Sequence, residues 1–427
     1  MKKIIPIILA IHCSVSCTIS PQPPKAAPNI SIQVGENITI LSNVPNLPIV
    51  EPHLSVHPNN LNHLLVAAMI IDDKSRPYET ARLATFTSND AGNTWVQTDW
   101  EYKGYDPWTV ILPNGRAIMT WLGTPKTFDS TPVQVFTSPN GGRTWDAKVS
   151  TLQGEYDGTK MTFDYKTNTI LFTSVKFKGH ESADIYFNKN PNGEGFGTPT
   201  LIDGKGKRYN FAQPVALSDG TIVVPSSLYD EAIFANISND GGKTFNIPIM
   251  ISTTMGGGKG YHQFAADVSN SVYKDRMYYV RANGFDKDYK GIWLNYSADK
   301  GKTWSKDIRV DKFSTSYPCK ALTPSVAVNK DGILGISWVD RQYDINKNDL
   351  YFTISTDGGN TFHSPVRITD VSSNPNTAKN DDVANKFPGG GHYLALTTKP
   401  DSSFQLVWSD SRTGVFQLQT CNVKIQD

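Results

Sequence analysis

The chain is short of cysteine, of charge imbalance and of long apolar runs. Its 427 residues hold four cysteines, and beyond Cys13 and Cys17 only Cys319 and Cys421 remain, with no CxxC spacing. That excludes a disulfide-dense scaffold and argues against a cysteine-held metal. One Cys319–Cys421 disulfide and two buried free thiols stand as equal readings. Lys plus Arg number 41 against 40 Asp plus Glu, a formal net charge of +1. Such balance leaves no basic footprint for nucleic acid and no acidic solvating arm. No segment after the first residues is apolar over the roughly 20 positions that a membrane-spanning helix needs. Phosphate-loop, HExxH, GxSxG and dinucleotide fingerprints are also missing, so neither a cofactor nor a metal is expected.

What the sequence does have is turns and rings. Gly (33) and Pro (26) are plentiful, aromatics reach 11% and charged residues only 19%. That composition suits an all-β protein. Length alone allows about three domains, but single β-barrels and propellers exceed the usual domain size. The N-terminus reads as an address: Met1-Lys2-Lys3 followed by the short apolar run Ile4 to Ile11. Ser14-Val15-Ser16-Cys17 resembles a bacterial lipobox with Cys17 as the lipidated residue, although Ser stands where Leu is usual. An exported, lipid-anchored protein of the cell envelope is expected, with plain secretion as the alternative. Residues 18–29, with four prolines, read as an extended tether, and 30–427 as a single domain and a monomer.

An eight-residue pattern repeats through that domain. It reads Ser88-Asn89-Asp90-Ala91-Gly92-Asn93-Thr94-Trp95, then Ser138 to Trp145, Ser238 to Phe245, Ser297 to Trp304 and Ser355 to Phe362. A worn copy lies around Asn190 to Phe196, and the successive steps are 50, 51, 49, 59 and 58 residues. Ser and Asp accept backbone N–H groups across a tight turn, Gly supplies positive φ, and Trp or Phe opens the next strand. Three short strand-like runs precede each copy, so each unit is four strands with the motif between the third and fourth. Repeated four-stranded sheets of about 40–50 residues specify a β-propeller. First strands near Glu51, Asp106, Asp157, Gln213, His262, Thr323 and His392 give seven blades, and six is the alternative. The last unit lacks a fourth strand, which the run Ile30 to Ile40 is expected to supply.

The motif S-x-D-x-G-x-T-W/F resembles the Asp box, or BNR repeat, of the sialidase-like β-propeller superfamily. Glu51 to Pro58 and Trp338-Val339-Asp340-Arg341 are similar to its bacterial exported branch. The resemblance covers about residues 45 to 427 and implies the fold more strongly than an activity. Sialidases have six blades and use three convergent Arg, a Tyr nucleophile activated by Glu, and an Asp acid/base. Their first Arg lies in an Arg-Ile/Val-Pro motif. Here that stretch reads Asn46-Leu47-Pro48-Ile49-Val50-Glu51-Pro52, and the earliest Arg is Arg76.

Propeller topology sorts the remaining candidates by face. The Asp-box turns, with Asp90, Asp240, Asp299 and Asp357, fall on one face as structural acceptors. First-strand starts and second-to-third loops fall on the other. There Glu51, Asp106, Asp157, Tyr261 and His262 are the candidate catalytic groups, because acid/base chemistry on a glycan needs carboxylates and their partners. Arg76, Arg208, Arg341, Arg412, Trp108 and His392 are the candidate substrate contacts. Guanidinium groups bind a sugar carboxylate bidentately, and rings stack on sugar faces. Two Gly-rich runs, Gly256 to Gly260 and Gly389 to Gly391, each deliver a Tyr–His pair, read as acid/base groups, as two ligands for a cation or as tight axial packing. Two functions follow: a sialidase-like glycosidase acting on carbohydrate, acidic glycans included, or a non-catalytic surface propeller that binds glycan or protein.

Overall fold

The computed structural model describes residues 30–123, 130–146, 150–179, 181–190, 195–204, 206–228, 232–253, 262–282, 291–312, 321–377 and 381–426. The leader, Cys17, the tether, Cys319 and Tyr261 lie outside the described residues. The chain is all-β. Two short strands come first, β1 (Ser31–Val34) and β2 (Ile38–Thr39). Next, β3 (Ile49–His57), β4 (Asn60–Ile71), β5 (Ala81–Ser88), β6 (Val96–Ile111), β7 (Ala117–Gly123), β8 (Val133–Ser138) and β9 (Ser150–Leu152) pair in chain order. The sixteen residues of β6 serve twice, pairing with β5 through their first half and with β7 through their second.

Four further sheets follow. They are β10 (Tyr156–Asp164) to β11 (Thr169–Lys178), β12 (Ser182–Asn190) and β13 (Thr200–Asp203); then β14 (Tyr209–Ala212) and β15 (Val215–Ala216) with β16 (Ile222–Leu228), β17 (Ala232–Ser238) and β18 (Ile249–Ser252). Next come β19 (His262–Ala266), β20 (Met277–Ala282), β21 (Ile292–Ser297) and β22 (Ile308–Arg309). β23 (Leu322–Val328), β24 (Leu334–Asp340), β25 (Asp349–Ser355) and β26 (Val366–Arg367) complete the set. A one-and-a-half-turn helix, α1 (Asp381–Lys386), precedes β27 (Ala395–Thr398), β28 (Phe404–Asp410) and β29 (Gln417–Gln426). β1 pairs antiparallel with β29, Ser31 opposite Gln426, so a strand from the start of the domain covers the last sheet's edge.

First strands lie side by side around an axis. β3 packs beside β6, β6 beside β10, β10 beside β14 and β15, β15 beside β19, β19 beside β23, β23 beside β27, and β27 beside β3. Apolar faces of neighbouring sheets fill the space between them. Tyr278, Leu294 and Trp338 form one such layer, Phe187, Tyr209 and Val224 another. Ile70 and Phe86 meet Val407 and Leu418, joining the first sheet to the last.

Each repeated turn is one hydrogen-bond network. In the fourth copy Gly301 N–H donates to Ser297 Oγ (2.8 Å), whose hydroxyl donates to Asp299 Oδ1 (2.9 Å). Thr303 adds its N–H to Oδ1 (2.8 Å) and its hydroxyl to Oδ2 (2.7 Å). The turns at Ser88, Ser238 and Ser355 repeat this, and Asn140 takes the Asp place in the second. These donors hold the Asp carboxylates below their usual range, Asp240 furthest, through the Thr244 hydroxyl first. Register puts the turns opposite the first-strand starts, since Ser88 pairs with Leu64 while Ala81 pairs with Ile71 beside Ile49. Ser355→Ala strips Gly359 N–H of its acceptor, so we expect a loss of about 1–3 kcal/mol in unfolding free energy. Urea titration measures it, and a change under about 0.5 kcal/mol would show the turn to be dispensable.

Candidate functional site

One backbone device recurs at the starts of four first strands and places the polar groups near the axis. In β3, β6, β10 and β23 four residues span what three span on the partner strand, the mark of a β-bulge: Val50 to His53, Tyr105 to Trp108, Asp157 to Lys160 and Leu322 to Ser325. The second residue of each bulge has positive φ: Glu51 (56°), Asp106 (52°), Gly158 (57°) and Thr323 (44°). In the three that are not glycine this conformation costs about 1–3 kcal/mol each. Proline follows all three, at Pro52, Pro107 and Pro324, and lacks the N–H that the bulge would leave unpaired. The last residues of these spans, His53, Trp108 and Ser325, line an axial cavity of about 260 Å³. Lys160, the fourth, lies against Trp108.

Three carboxylates from three successive first strands come together at the starts of these spans, beside that cavity rather than in its lining. Glu51 is fully buried, and its Oε1 accepts the His392 ring N–H from Nδ1 (2.9 Å) and the His392 backbone N–H (3.2 Å). Its Oε2 has no N–H or O–H partner among the described residues, but the Asp106 carboxyl is in hydrogen-bond contact with Glu51. Two touching carboxyls hold one proton between them. Desolvation first, then the Glu51 and Asp157 charges, push Asp106 well above the usual carboxylate range, so the proton resides there. Glu51 lies below its usual value despite burial, because His392 and the Asp106 proton stabilise its charge. Burial also raises Asp157, against the pull of the Gly158 N–H (2.7 Å), His392 and Lys160.

Lys160 acts through its charge on all three acids. It is 6% exposed, with Nζ 3.9 Å from the Trp108 ring centre and 4.5 Å from that of Tyr393. Desolvation brings its ammonium down to about 8, although Asp106, Glu51 and Asp157 pull the other way. The His53 ring packs on Trp108 at 3.8 Å, and its Nδ1 accepts the Thr109 N–H (3.2 Å) and faces the Thr109 hydroxyl (3.0 Å). Tyr78, Tyr105 and His392 supply half-buried rings beside the acids, and Tyr78 stands edge-on to Tyr105 and to the fully buried Phe387.

The remaining sequence candidates are dispersed. Arg76 is exposed and pairs with Asp73 (3.0 Å). Arg412 is bonded to Asp370 (2.7 Å) and Asp410 (2.9 Å), pinning its own loop. Arg341 donates to Asn348 Oδ1 (2.7 Å) and to the Pro388 carbonyl (3.1 Å), bracing the Gly-rich run that carries His392. Arg208 is exposed beside β14, bridged through its backbone to Ala183. Among the described residues, Lys160 and His392 are the basic groups that act on the three carboxylates. His262 is buried edge-on to Phe211 at 4.2 Å.

Burial first, then the charges of Lys160 and Arg281, hold His262 down to about 3, so it is neutral in the fold. An unfolded imidazole gains its proton near pH 6.5. The unfolded state therefore binds more protons between pH 6.5 and 3, and stability falls as pH drops through that window. In His262→Leu we expect the melting temperature to fall less between pH 7 and pH 4 than in the parent. Equal slopes would place the acid sensitivity elsewhere.

Sequence reading missed Lys160 and the device that places it. The repeated polar-Pro pairs Glu51-Pro52, Asp106-Pro107 and Thr323-Pro324 at first-strand starts were the available signal.

No protein-family model matches the chain, and no curated protein matches it by sequence. Solved structures do. A Dyadobacter fermentans protein of unknown function aligns over 92% of this chain and 99% of its own, at TM-score 0.53 and 13% identity. The GH93 α-L-arabinofuranosidase of Fusarium graminearum, solved with arabinobiose, aligns over 91% and 97%, at TM-score 0.50 and 11% identity. The Penicillium chrysogenum α-L-arabinanase, also with arabinobiose, aligns over 91% and 98%, at TM-score 0.50 and 12% identity. At such identities the likeness is one of fold, that of the β-propellers.

Proposed function

We propose that this chain is a seven-bladed propeller of Asp-box type that hydrolyses a neutral glycan at the mouth of its axis. The continuous ring of first-strand contacts, in which β6 serves two blades, supports the blade count. One observation carries the chemistry: bulges at three successive first-strand starts bring the buried Glu51 together with the half-buried Asp106 and Asp157. Carboxyls that flank a glycosidic bond stand about 5–5.5 Å apart in retaining enzymes and 6.5–9.5 Å in inverting ones. Glu51 and Asp106, in hydrogen-bond contact, are too close to be such a pair. Glu51 is instead the partner that keeps Asp106 protonated.

Asp106 then gives its proton to the leaving oxygen as the glycosidic C–O bond breaks. Asp157 takes a proton from the water that adds to the anomeric carbon, and proton exchange with solvent resets both groups. The half-buried rings of Tyr78 and Tyr105 suit sugar faces. Carboxylates outnumber cations in this cluster, and the guanidinium groups of Arg76, Arg341 and Arg412 are already bonded, an arrangement that suits uncharged sugars better than sialic acid. Glycan as substrate also accords with the arabinobiose bound by two of the similar structures.

A panel of chromogenic arabinosides, other neutral glycosides and a sialoside tests this reading. Release from a neutral glycoside, lost in Asp106→Asn, is the expected result. Turnover of the sialoside alone would overturn the neutral-substrate reading. Retention of oligosaccharides without any release would favour the non-catalytic glycan-binding alternative.

A further inference from the structure

A cation buried among acids has a role that its neighbours reveal. Lys160 is the third residue after Asp157 and closes the bulge, so its backbone is fixed by pairing with Thr173 of β11. Its stem and ammonium are enclosed by Trp108 and Tyr393, with the Phe211 ring 5.9 Å away. The groups facing it come from every neighbouring element. β3 contributes Glu51 and His53, β6 contributes Asp106, β10 itself Asp157, and β19 His262. His392 acts on Glu51 and Asp157, and the Tyr393 phenol lies near all three carboxylates. Arg281 acts on His262 from β20 but is bonded to Asp307 (2.7 Å) and Asn295 (2.6 Å). Tyr105, raised by burial and by Asp106 and Asp157, remains a neutral phenol beside them.

This places Lys160 out of easy reach of a substrate while its charge acts on all three acids. Both imidazoles facing it, His53 and His262, are kept neutral by desolvation first and by its charge second. A buried ion cluster of this kind is costly to assemble and adds little to stability. Its persistence at the axis is therefore explained by what it does to the acids.

We propose that Lys160 is a positioning residue: its buried ammonium fixes which of Glu51, Asp106 and Asp157 hold a proton and keeps Asp157 available as a base beside a protonated Asp106. The proposal rests on the glycan-hydrolysing reading for its purpose, but not for its test. Removing the ammonium leaves three carboxylates facing one another with His392 alone, so more of them must be protonated at a given pH. Asp157 is then no longer a base in the working range.

The side-chain carboxyl ¹³C shifts of Asp106 and Asp157, followed from pH 3 to pH 9 in the full chain, read this without any substrate. In Lys160→Met, whose unbranched side chain suits the Trp108–Tyr393 box, both transitions should move to higher pH by about 1–3 units. Lys160→Arg, which keeps the charge, should bring them back toward the parent values. Unmoved transitions in Lys160→Met would overturn the proposal. Should that variant fail to fold, the ¹⁵Nζ shift of Lys160 in the unaltered protein serves instead. It should follow the Asp transitions, and a flat response across them would overturn the proposal equally. If Asp106→Asn keeps full turnover while Lys160→Met moves the transitions, the hydrolytic reading falls and this coupling stands.

Discussion

Asp106→Asn is expected to lose about 10²–10⁴-fold in turnover of a neutral glycoside, the usual contribution of a positioned general acid, while its melting temperature stays level or rises. The two halves of this expectation have separate causes. Asparagine keeps the size of the carboxyl and can donate an N–H to Glu51, but it has no proton to give to a leaving oxygen. The stability half follows from what the native residue costs. Asp106 lies in a positive-φ bulge, partly buried, beside two like charges. An amide is neutral beside those charges without having to take up a proton, and asparagine tolerates positive φ at least as well as aspartate. A group retained despite that cost is one kept for chemistry. Loss of turnover accompanied by a fall of many degrees would instead mark Asp106 as structural.

Gly391→Ala is the second large effect, and it joins fold to site. Gly391 sits at φ 153° directly against the strand that carries Glu51. A Cβ there would stand 2.9 Å from Glu51 N and Cγ and 3.0 Å from its Cα. Backbone cannot swing aside as a flexible side chain can. The substitution must push β3 away from the run holding His392, breaking the hydrogen bonds that Glu51 Oε1 accepts and the one from Glu51 N–H to the Gly390 carbonyl (3.1 Å). Overpacking of this kind costs about 1–3 kcal/mol, and a displacement near 1 Å at a catalytic group costs about 10²-fold in rate. Denaturant melts and turnover should therefore fall together. Wild-type values in both would mean that the run and β3 are not held in contact.

Particular residues show how far the sequence was readable. The Ser-x-Asp-x-Gly-x-Thr turns were legible because each is local: every bond in the Ser297 network lies within seven residues. Alternating runs located the strands for the same reason, and Glu51, Asp106, Asp157, Trp108 and His392 all came from reading first-strand starts. Lys160 was not legible, because a period-of-two pattern assumes regular pairing and a bulge reverses which side chains face the axis. The arginines were ambiguous for another reason. Whether Arg412 faces a ligand or Asp370 depends on a partner 42 positions away, and Arg341 on the Pro388 carbonyl 47 positions away. Arg281 is 1% exposed within its sheet for the same reason, since its neighbours Asn295 and Asp307 come from later strands and loops.

The most direct test is a crystal structure of Asp106→Asn soaked with a neutral oligosaccharide that the parent cleaves. The account requires the sugar chain at the mouth of the axis, its scissile oxygen within hydrogen-bond reach of residue 106 and a water held by Asp157. A sugar bound on the Asp-box face, or at the outer strands away from Asp106 and Asp157, would contradict it.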